Sequence, residues 1–442
     1  PTVNYKRREL PLLRFLERTR VYYPGVELVV EADLSPETDP YLDQHVFQGE
    51  RLLPAVMGLE AMAQVVVALS ETTERPAFEE VEFIRPVVVS DGAPTTVRLA
   101  ALVRGDDRIE VVLRSSTTAF QVDHFRAMCR VGKGRTGLSE TVDATGVMPD
   151  LNGVAIEPER DLYGGLLFQS GGFRRLTGYR KLRARECVAE ISARDGHAWF
   201  SQYLPGRLIL GDPGARDAAI HAIQACIPHA TILPVGVGEI VVGESNSAEP
   251  RFACASEQSR DGDLFVYDVC VTGSDGCVLE TWKGLRLRIV AGTTRPTPWV
   301  AALLAPYIER RVGELIPGSA VSVTVALKGN GEAGKRSCES DRAIASAVDG
   351  PVVVRRRPDG KPEVAIDRSV SVAHTDALVM AVAGPTAVGC DAESVVCKPS
   401  SVWRDLLGAD RFALAGVIGR EVSEDESTAA TRVWTAGECL TK

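Results

Sequence analysis

The spacing of apolar residues predicts mainly β-strands over residues 1–292. Apolar and polar positions alternate in short runs bounded by turn-forming residues, as half-buried strands require. The clearest runs are residues 26–30, 96–100, 108–113, 264–271 and 277–282. Two other stretches carry apolar residues at helical spacing, one after Pro54 and one after Pro213. One long helix per block of strands, occurring twice, indicates a duplicated unit.

A change of pattern near residue 292 predicts a domain boundary. Residues 291–298 are rich in Gly, Pro and Thr, and an alanine-rich helical stretch at 299–315 follows them. Short strands and helices then alternate up to Lys442. We therefore predict three regions, at 1–150, 151–292 and 299–442. Because the chain starts without Met and stops within a helical pattern, we expect a segment of a longer protein.

Composition excludes several functional classes. Lys and Arg number 50 against 59 Asp and Glu, a formal net charge of -9, so the chain lacks the basic excess of a nucleic-acid-binding protein. No apolar run approaches the roughly 18 residues of a membrane helix, and the N-terminus has no apolar signal segment. The ten cysteines form no C-x-x-C pair. This favours reduced, mostly buried thiols in a cytoplasmic protein without nucleic-acid or membrane partners.

His45 lies in a loop just before the first predicted helix. In that place a neutral imidazole is able to act as a base near pH 7, at the mouth of an apolar tunnel. A loop histidine is, however, more often structural or solvated, so the residue alone leaves both interpretations open.

Asp217 and His221 lie four residues apart on the second predicted helix, so both side chains project from one face. A carboxyl group near the start of an apolar helix could be desolvated enough to stay protonated and act as an acid, with the histidine orienting it. The alternative is an N-terminal Asp favoured by the helix dipole, beside an incidental His. The pair alone does not choose between the two.

Together these segments resemble the double-hotdog dehydratase domains of polyketide synthases. The motif H-x-x-x-G-x-x-x-x-P spans residues 45–54, Y-G-x-x-x-F-Q spans 163–169, and D-x-x-x-H spans 217–221. Residues 41–64 are similar in particular to the dehydratases of the iterative synthases that begin enediyne biosynthesis. The resemblance implies an α+β fold with two antiparallel sheets, each wrapping a long helix. The first hotdog would be residues 1–150 and the second 151–292.

The resemblance also implies an activity, the dehydration of β-hydroxyacyl thioesters on a carrier protein to α,β-unsaturated (polyene) thioesters. His45 would remove the α proton, Asp217 would protonate the leaving β-hydroxyl group, and His221 would hold Asp217 in position. Tyr163 would either donate a hydrogen bond near the β-hydroxyl group or only pack. No cofactor is implied for this reaction.

The chemistry demands that a base and an acid flank one substrate, since an α proton is weakly acidic and hydroxide is a poor leaving group. We therefore expect His45 and Asp217 to line one tunnel shared by the two hotdogs. Backbone N–H groups at the start of the first helix would polarise the thioester carbonyl. Many members of the family have Gly at the position of Ala55, directly after the proline of the motif.

The third region carries a separate set of acidic residues. Asp391 and Glu393 follow an apolar, strand-like run at i, i+2 spacing, so both carboxylates would face the same side and share a cation. Glu438 would complete an oxygen-rich Mg²⁺ site suited to a diphosphate-containing substrate. A solvated turn is the alternative for the first two residues.

The segments of this region resemble the phosphopantetheinyl transferases. Residues 360–362 are similar to G-K-P, 371–374 to S-x-S-H, 389–393 to G-x-D-x-E and 434–442 to W-T-x-K-E-x-x-x-K. The resemblance implies an α+β domain at 299–442 that transfers 4'-phosphopantetheine from coenzyme A to a carrier protein. Three carboxylates would bind Mg²⁺: Asp391, Glu393 and Glu438. Three further side chains would contact coenzyme A: Lys361, His374 and Lys442.

Two departures from the transferase pattern predict slow transfer. The Lys that usually precedes the last Glu is Gly437 in this chain, and the second Ser of S-x-S-H is Ala373. Losing that Lys removes a cation, or a proton relay, beside the diphosphate.

Two other functions remain open for the first two regions. One is a non-catalytic product-template or scaffolding hotdog that binds an acyl chain, and the other is a hotdog thioesterase that uses a carboxylate and water. A binding tunnel needs none of His45, Asp217 and His221, which favours the dehydratase. The expected partners are an acyl carrier protein domain bearing phosphopantetheine and other domains of the same synthase, and a homodimer stays open.

Overall fold

The computed structural model describes residues 9–105, 107–132, 153–193, 197–243, 250–292, 300–328 and 335–442 of the chain. The chain divides into two compact units. The first comprises residues 1–149 and 156–296, and the second comprises residues 150–155 and 297–442. In the described ranges, no helix is both long enough and apolar enough to cross a membrane. All ten cysteines are free thiols, but only four of them are buried, fewer than expected.

The first unit is built mainly of antiparallel β-strands, as the alternating pattern predicts. Its strands are β1 (Arg18–Tyr23), β2 (Glu27–Leu34), β3 (Val46–Phe47), β4 (Glu50–Leu52), β5 (Ala77–Phe83), β6 (Val88–Val89), β7 (Thr95–Val103), β8 (Arg108–Ser115), β9 (Asp123–Arg130), β10 (Leu176–Leu182), β11 (Glu186–Ile191), β12 (Ala230–Val242), β13 (Arg251–Asp261), β14 (Leu264–Gly273) and β15 (Val278–Gly292). Strands β3, β4 and β6 form a small sheet of their own, and the other twelve form one large sheet.

The large sheet has the order β1-β2-β7-β8-β9-β5-β12-β15-β14-β13-β11-β10. Its first six strands all come from before residue 131 and its last six from after residue 175. This agrees with the predicted duplication. The two predicted antiparallel sheets are joined edge to edge into one, because β5 and β12 are hydrogen-bonded to each other and make the two halves continuous.

The β5–β12 seam is stabilised by charged side chains from both halves. Glu79 and Glu239 lie opposite each other across it, where two carboxylates alone would repel. Arg130 bridges them, with Nε 2.9 Å from Glu79 Oε1 and Nη2 3.2 Å from Glu239 Oε1. Arg286 also donates a hydrogen bond of 3.2 Å to the carbonyl oxygen of Val81. Cations therefore offset the repulsion at the seam and tie the halves together.

Each half contains one principal buried helix. They are α1 (Ala55–Ser70) and α3 (Pro213–His221), while a short helix α2 (Pro158–Asp161) precedes the second block of strands. Every residue from 56 to 69 of α1 is buried, so the helix is enclosed on all sides. The second principal helix is shorter than expected, because a tighter 3-10 helix (Ala222–Cys226) replaces the α-helix after His221. Gln224 stabilises this ending by donating to Ile227 O and Ala230 O.

The second unit is an α+β arrangement. Its strands are β16 (Ser322–Leu327), β17 (Val354–Arg356), β18 (Pro362–Val364), β19 (Ser369–His374) and β20 (Leu378–Gly384). Its helices are α4 (Ala301–Leu315), α5 (Lys335–Ala347), α6 (Ser400–Val422) and α7 (Glu426–Thr441). Strands β16, β20 and β19 form a sheet in that order, and β17 pairs with β18.

Helices pack on both faces of the three-stranded sheet. Ala305 of α4 packs with Val382 on one face, and Ile344 of α5 packs with Ala381 on the other. This follows from the alternation of side chains along β20. Helices α6 and α7 form a separate apolar cluster around Trp403.

Candidate active site

A cavity of about 60 Å³ in the first unit is lined by side chains from both halves. His45 and Ala55 come from the first half, and Asp217 and His221 from the second. The remaining wall is largely apolar and comprises Leu166, Leu167, Phe168, Gln169, Ile220, Gln224, Thr231, Ile232, Leu233, Pro234 and Leu287. The structure thus brings His45 and Asp217, 172 residues apart in sequence, onto one cavity, as cooperation between them requires.

His45 is held by the hairpin of β3 and β4. Leu52 N donates to the carbonyl oxygen of His45 over 3.1 Å, and His45 Nδ1 lies 3.1 Å from the carbonyl oxygen of Leu52. Because a carbonyl oxygen can only accept, Nδ1 must carry the proton and donate it. Nε2 then keeps its lone pair, which is the form that a base requires.

Burial keeps this histidine neutral. The ring contacts Phe168 and Phe173 edge-on, with centroids 4.9 and 5.6 Å away, and the residue is 7% exposed. Burial lowers the pKa of His45 and outweighs the opposing effect of the Asp217 charge. The imidazole is therefore unprotonated near pH 7, ready to accept a proton.

Helix α3 begins at a fixed place because Asp212 caps it and Pro213 follows. Asp212 Oδ1 accepts a hydrogen bond of 2.9 Å from Gly214 N, while its Oδ2 lies 3.0 Å from Arg175 Nη2. An Asp cap followed by Pro favours a helix start at this residue. One turn further on, Asp217 and His221 project from the same face of the helix into the cavity.

A chain of hydrogen bonds runs from Tyr163 through His221 to Asp217. The Tyr163 hydroxyl oxygen accepts from the backbone N–H groups of Arg175 and Leu176, over 3.0 and 3.1 Å. Its own proton is then donated to His221 Nε2, 3.2 Å away. His221 Nδ1, left with the ring proton, donates to Asp217 Oδ2 over 2.9 Å. The direction of the whole chain follows from the two backbone donors.

This series of hydrogen bonds corrects the expectation for Tyr163. Its hydroxyl proton is engaged with His221, and Tyr163 lies behind His221 and is not among the residues that line the cavity. Tyr163 orients His221. The sequence predicts either a hydrogen bond to the substrate or a packing role for this residue. His221 holds Asp217, in the arrangement expected for that pair.

The expectation that burial keeps Asp217 protonated is also wrong for the free site. Burial raises the pKa of Asp217, but hydrogen bonds from His221 and from the Gln169 amide lower it, as positive charge on His221 or His45 does whenever either is protonated, and the net result is a pKa below the usual value. Asp217 is therefore ionised in the free site at neutral pH. A proton must reach it before it can act as an acid.

Gln169 is a site residue that the sequence analysis assigned no role. It lies at the end of the Y-G-x-x-x-F-Q motif, is 5% exposed and lines the cavity. Its amide group interacts with the Asp217 carboxylate and lowers the pKa of that group. Its Oε1 is buried without a hydrogen-bond partner among the described residues. The unpaired oxygen is thus available to a donor on a ligand. The motif marked the residue, but only the fold shows its position beside Asp217.

Replacing Tyr163 with Phe is expected to lower stability by about 1–3 kcal/mol, because two buried backbone N–H groups lose their acceptor. The measurement is urea unfolding followed by fluorescence. A direct substrate contact would instead leave the unfolding midpoint unchanged and lower the turnover of the variant. That combination of results would contradict the positioning role.

In the second unit, three of the predicted residues lie together. Lys442 Nζ is 2.5 Å from Asp391 Oδ1, and Lys361 Nζ donates to the carbonyl oxygen of Thr441 over 3.3 Å. His374 is bonded elsewhere, with Nε2 3.1 Å from Ser340 Oγ. The two lysines and Asp391 therefore meet near the end of α7.

The three predicted metal ligands are not brought together. Asp391 and Glu393 lie in residues 385–399, which form neither helix nor strand, so the same-face argument for a strand does not apply. Within the described ranges, no three residues with metal-binding side chains are grouped as a metal site requires. Asp391 is paired with Lys442 instead, and Glu393 is exposed. The carboxylates as placed do not fit an Mg²⁺ ion.

Two family profiles match the first unit. Residues 16–116 match the polyketide synthase dehydratase domain. Residues 153–296 match the polyketide synthase dehydratase N-terminal domain. A comparison with curated proteins finds no match.

Solved dehydratase structures share this fold. The dehydratase domain from the CurF module of curacin polyketide synthase is 19% identical, with a TM-score of 0.51, covering 63% of this chain and 99% of that one. The domain from the CurJ module is 12% identical, with a TM-score of 0.52 and coverage of 63% and 97%. The dehydratase domain of a mycocerosic acid synthase-like polyketide synthase is 17% identical, with a TM-score of 0.50 and coverage of 64% and 97%.

Two of the related structures are of inactive variants. In the CurJ dehydratase a His is replaced by Phe, and in the CurK dehydratase an Asp is replaced by Asn. The family profiles cover both halves of the large sheet, and the fold is that of the solved dehydratases. The first unit of this chain is therefore a polyketide synthase dehydratase domain.

Proposed function

We propose that the first unit removes water from β-hydroxyacyl thioesters carried on a phosphopantetheine arm, giving α,β-unsaturated thioesters. One observation carries the proposal: a neutral imidazole and a hydrogen-bonded carboxyl group, His45 and Asp217, line one largely apolar cavity. Elimination needs a base at the α carbon and an acid at the β oxygen. The inactive His and Asp variants of the curacin dehydratases support a role for one residue of each type.

The reaction uses each of the two residues once. His45 Nε2 takes the α proton, and the electrons of that C–H bond form the double bond between the α and β carbons. The bond from the β carbon to oxygen breaks, and Asp217 gives its proton to the departing hydroxyl group, which leaves as water. His45 then holds an additional proton and Asp217 lacks one. A proton returned from His45 to Asp217, directly or through water, restores the protonation that the reaction requires.

Asp217 must acquire its proton as the substrate enters. The free site holds it ionised through donors from His221 and Gln169. An acyl chain that fills the cavity displaces water and removes solvation from the carboxylate, which raises its pKa. Substrate binding is thus coupled to proton uptake by Asp217.

The thioester carbonyl is polarised by the start of α1. Ala55, the first residue of this helix, lines the cavity, and the N-terminus of a helix carries partial positive charge. Negative charge that develops on the carbonyl oxygen during proton removal is stabilised there. A methyl group at this position, where many relatives have Gly, leaves the backbone N–H in place.

Mass spectrometry of a β-hydroxyacyl carrier protein incubated with the full chain tests the proposal. Loss of one water with the thioester intact is the expected result. Release of the free acid would instead identify a thioesterase, and an unchanged carrier protein would indicate a scaffold. Either outcome contradicts dehydration. Since residues 41–64 resemble iterative enediyne synthases, conjugated β-hydroxy polyene chains are expected to react faster than saturated ones.

For the second unit we propose transfer of phosphopantetheine from coenzyme A to the carrier protein. The supporting observation is the convergence of three motifs that are distant in sequence, through Lys361, Asp391 and Lys442. Gly389 also approaches the last helix closely, since a β-carbon on it would lie 2.3 Å from Cys439 O. Two lysines at one place suit the phosphates of coenzyme A.

The guanidinium of Arg411 lies beside Gly437, the position at which the transferase pattern has a lysine. A β-carbon on Gly437 would lie 2.9 Å from Arg411 Nη1, so a guanidinium occupies the space beside this glycine. This places a cation from α6 next to the position that lacks one in α7, which supports phosphate binding despite the departure from the pattern.

Calorimetric titration of coenzyme A into the full chain, with and without Mg²⁺, tests this second proposal. We expect weak binding that Asp391→Ala weakens, because Asp391 holds Lys442 in place. Because the carboxylates, which all lie in the described ranges, do not converge on one point, we expect Mg²⁺ to leave this binding unchanged. Glu27→Ala, which removes a carboxylate from β2 in the other unit, serves as the control and should bind like wild type. Binding that Asp391→Ala leaves unchanged would show that this carboxylate belongs to a solvated turn, and binding that requires Mg²⁺ would show that the carboxylates converge on a metal after all.

A further inference from the structure

We propose that Glu60 is a positioning residue, because its carboxylate ties the helix of the first half to the segment that leads into the catalytic helix of the second half. The inference deepens the proposed dehydration and rests on it. His45 and Asp217 belong to different halves, so the distance between base and acid depends on how firmly the halves are joined near the cavity.

Glu60 is the one charged residue of helix α1. It is 1% exposed, and both of its oxygens accept hydrogen bonds from the second half. Ile209 N donates to Oε1 over 2.7 Å and Leu210 N donates to Oε2 over 2.8 Å. Gln64, one turn along α1, donates to Oε1 over 2.8 Å. Burying a carboxylate costs free energy unless it is hydrogen-bonded, and these three donors provide the hydrogen bonds.

The same peptide segment is also held from the other side. The carbonyl oxygen of Leu210 accepts a hydrogen bond of 2.7 Å from Arg216 Nη2. Arg216 in turn pairs with both oxygens of Glu280, over 2.8 and 2.9 Å, and Trp282 Nε1 donates to Glu280 Oε1 over 2.6 Å. Arg216 immediately precedes Asp217, so one buried network connects Glu60 to the catalytic turn of α3.

Only two residues, Gly211 and Asp212, separate Leu210 from the first residue of α3. Gly211 has a φ of 88°, a left-handed conformation that favours glycine, and Asp212 is the helix cap. A shift of Leu210 is therefore transmitted to α3 and to Asp217. A misplacement of about 1 Å at a catalytic group can cost on the order of 100-fold in rate.

A purely structural role would also make Glu60 important, because removing one partner of a buried hydrogen-bonded charge destabilises a protein. The two roles differ in kinetics. Loss of structure alone lowers the unfolding temperature and leaves kcat per folded molecule unchanged. Loss of positioning lowers kcat while KM stays near that of wild type, because the contacts that bind the acyl chain remain.

The test compares Glu60→Gln and Glu60→Asp with wild type in the full chain. Glutamine keeps the shape but places an amide NH₂ against one of the two backbone donors, and aspartate keeps the charge but is too short to reach both. We expect kcat to fall about tenfold in Glu60→Gln with KM within about twofold, and less in Glu60→Asp. Glu31→Gln is the matched control, since Glu31 is a buried carboxylate held by Arg20 and Arg98.

A second measurement does not depend on catalysis. Hydrogen–deuterium exchange should be faster for the peptide that spans residues 209–221 in Glu60→Gln, and unchanged there in Glu31→Gln. Unchanged exchange would overturn the inference whatever the activity. Faster exchange with unchanged kcat would also overturn it, because Glu60 would then have a structural role only. A wild-type chain that shows no dehydration would refute the proposed function, while the exchange result would still decide whether Glu60 holds the segment.

Discussion

Replacing His45 with alanine is expected to lower kcat for dehydration at least about 100-fold, the lower end for losing a positioned base. The imidazole is the neutral nitrogen base that the cavity provides, since its Nδ1 proton is fixed on Leu52 O and its Nε2 is free to accept a proton. Burial lowers its pKa below the usual 6.5, so the base stays active at neutral pH. Turnover is measured with a β-hydroxyacyl thioester on the purified variant.

His124→Ala is the matched control for this experiment. His124 is also buried, but it bonds Ser115 Oγ and the carbonyl oxygen of Pro86 and does not line the cavity. Its removal should lower stability and leave kcat per folded molecule near wild type. Wild-type turnover in folded His45→Ala would show that His45 is not the base.

Asp217→Asn is expected to lower kcat by at least about 100-fold as well, while the fold is kept. Asparagine has nearly the same shape, and its carbonyl oxygen still accepts from His221 Nδ1. It cannot deliver a proton to the leaving hydroxyl group. Asp268→Asn, at a carboxylate of β14 that accepts from Gly284 N, should leave turnover unchanged and serves as the control.

The same variant tests proton uptake. In the free site the pKa of Asp217 is below its usual value, so the group is ionised at pH 7, and the reaction needs it protonated. Binding of an unreactive acyl thioester should therefore take up a proton in wild type and not in Asp217→Asn. Calorimetry in buffers of different ionisation enthalpy measures this uptake. Equal uptake in both proteins would mean that the proton goes elsewhere.

The local sequence pattern predicts much of the fold, because the burial of one face of each strand or helix determines the spacing of its apolar residues. The alternating runs became strands β2, β7, β8, β14 and β15, and the helical spacing after Pro54 became α1. The pairing of β5 with β12 could not be predicted, since it joins residues more than 150 positions apart. Glu60 was visible as a carboxylate in an apolar helix, but its partners at 209 and 210 are set by tertiary packing.

The candidate site was predictable as a set of residues and less so as a set of roles. The resemblance identified His45, Asp217 and His221, and the structure brings them onto one cavity. The protonation of Asp217 depends on donors from two separate segments, His221 and Gln169, which no single motif contains. The metal ligands of the second unit were inferred from a strand that is not formed, so their side chains do not converge.

The seam between β5 and β12 has a consequence for how this domain could be divided. Neither half is a complete sheet, because each uses the other to cover the N–H and C=O groups of one long strand. Separated within the segment that links them, each half would expose such a strand edge, which natural proteins seldom leave uncovered because it recruits other chains. Isolated halves would therefore pair with each other, with copies of themselves, or aggregate, and the minimal stable piece is the whole twelve-stranded sheet.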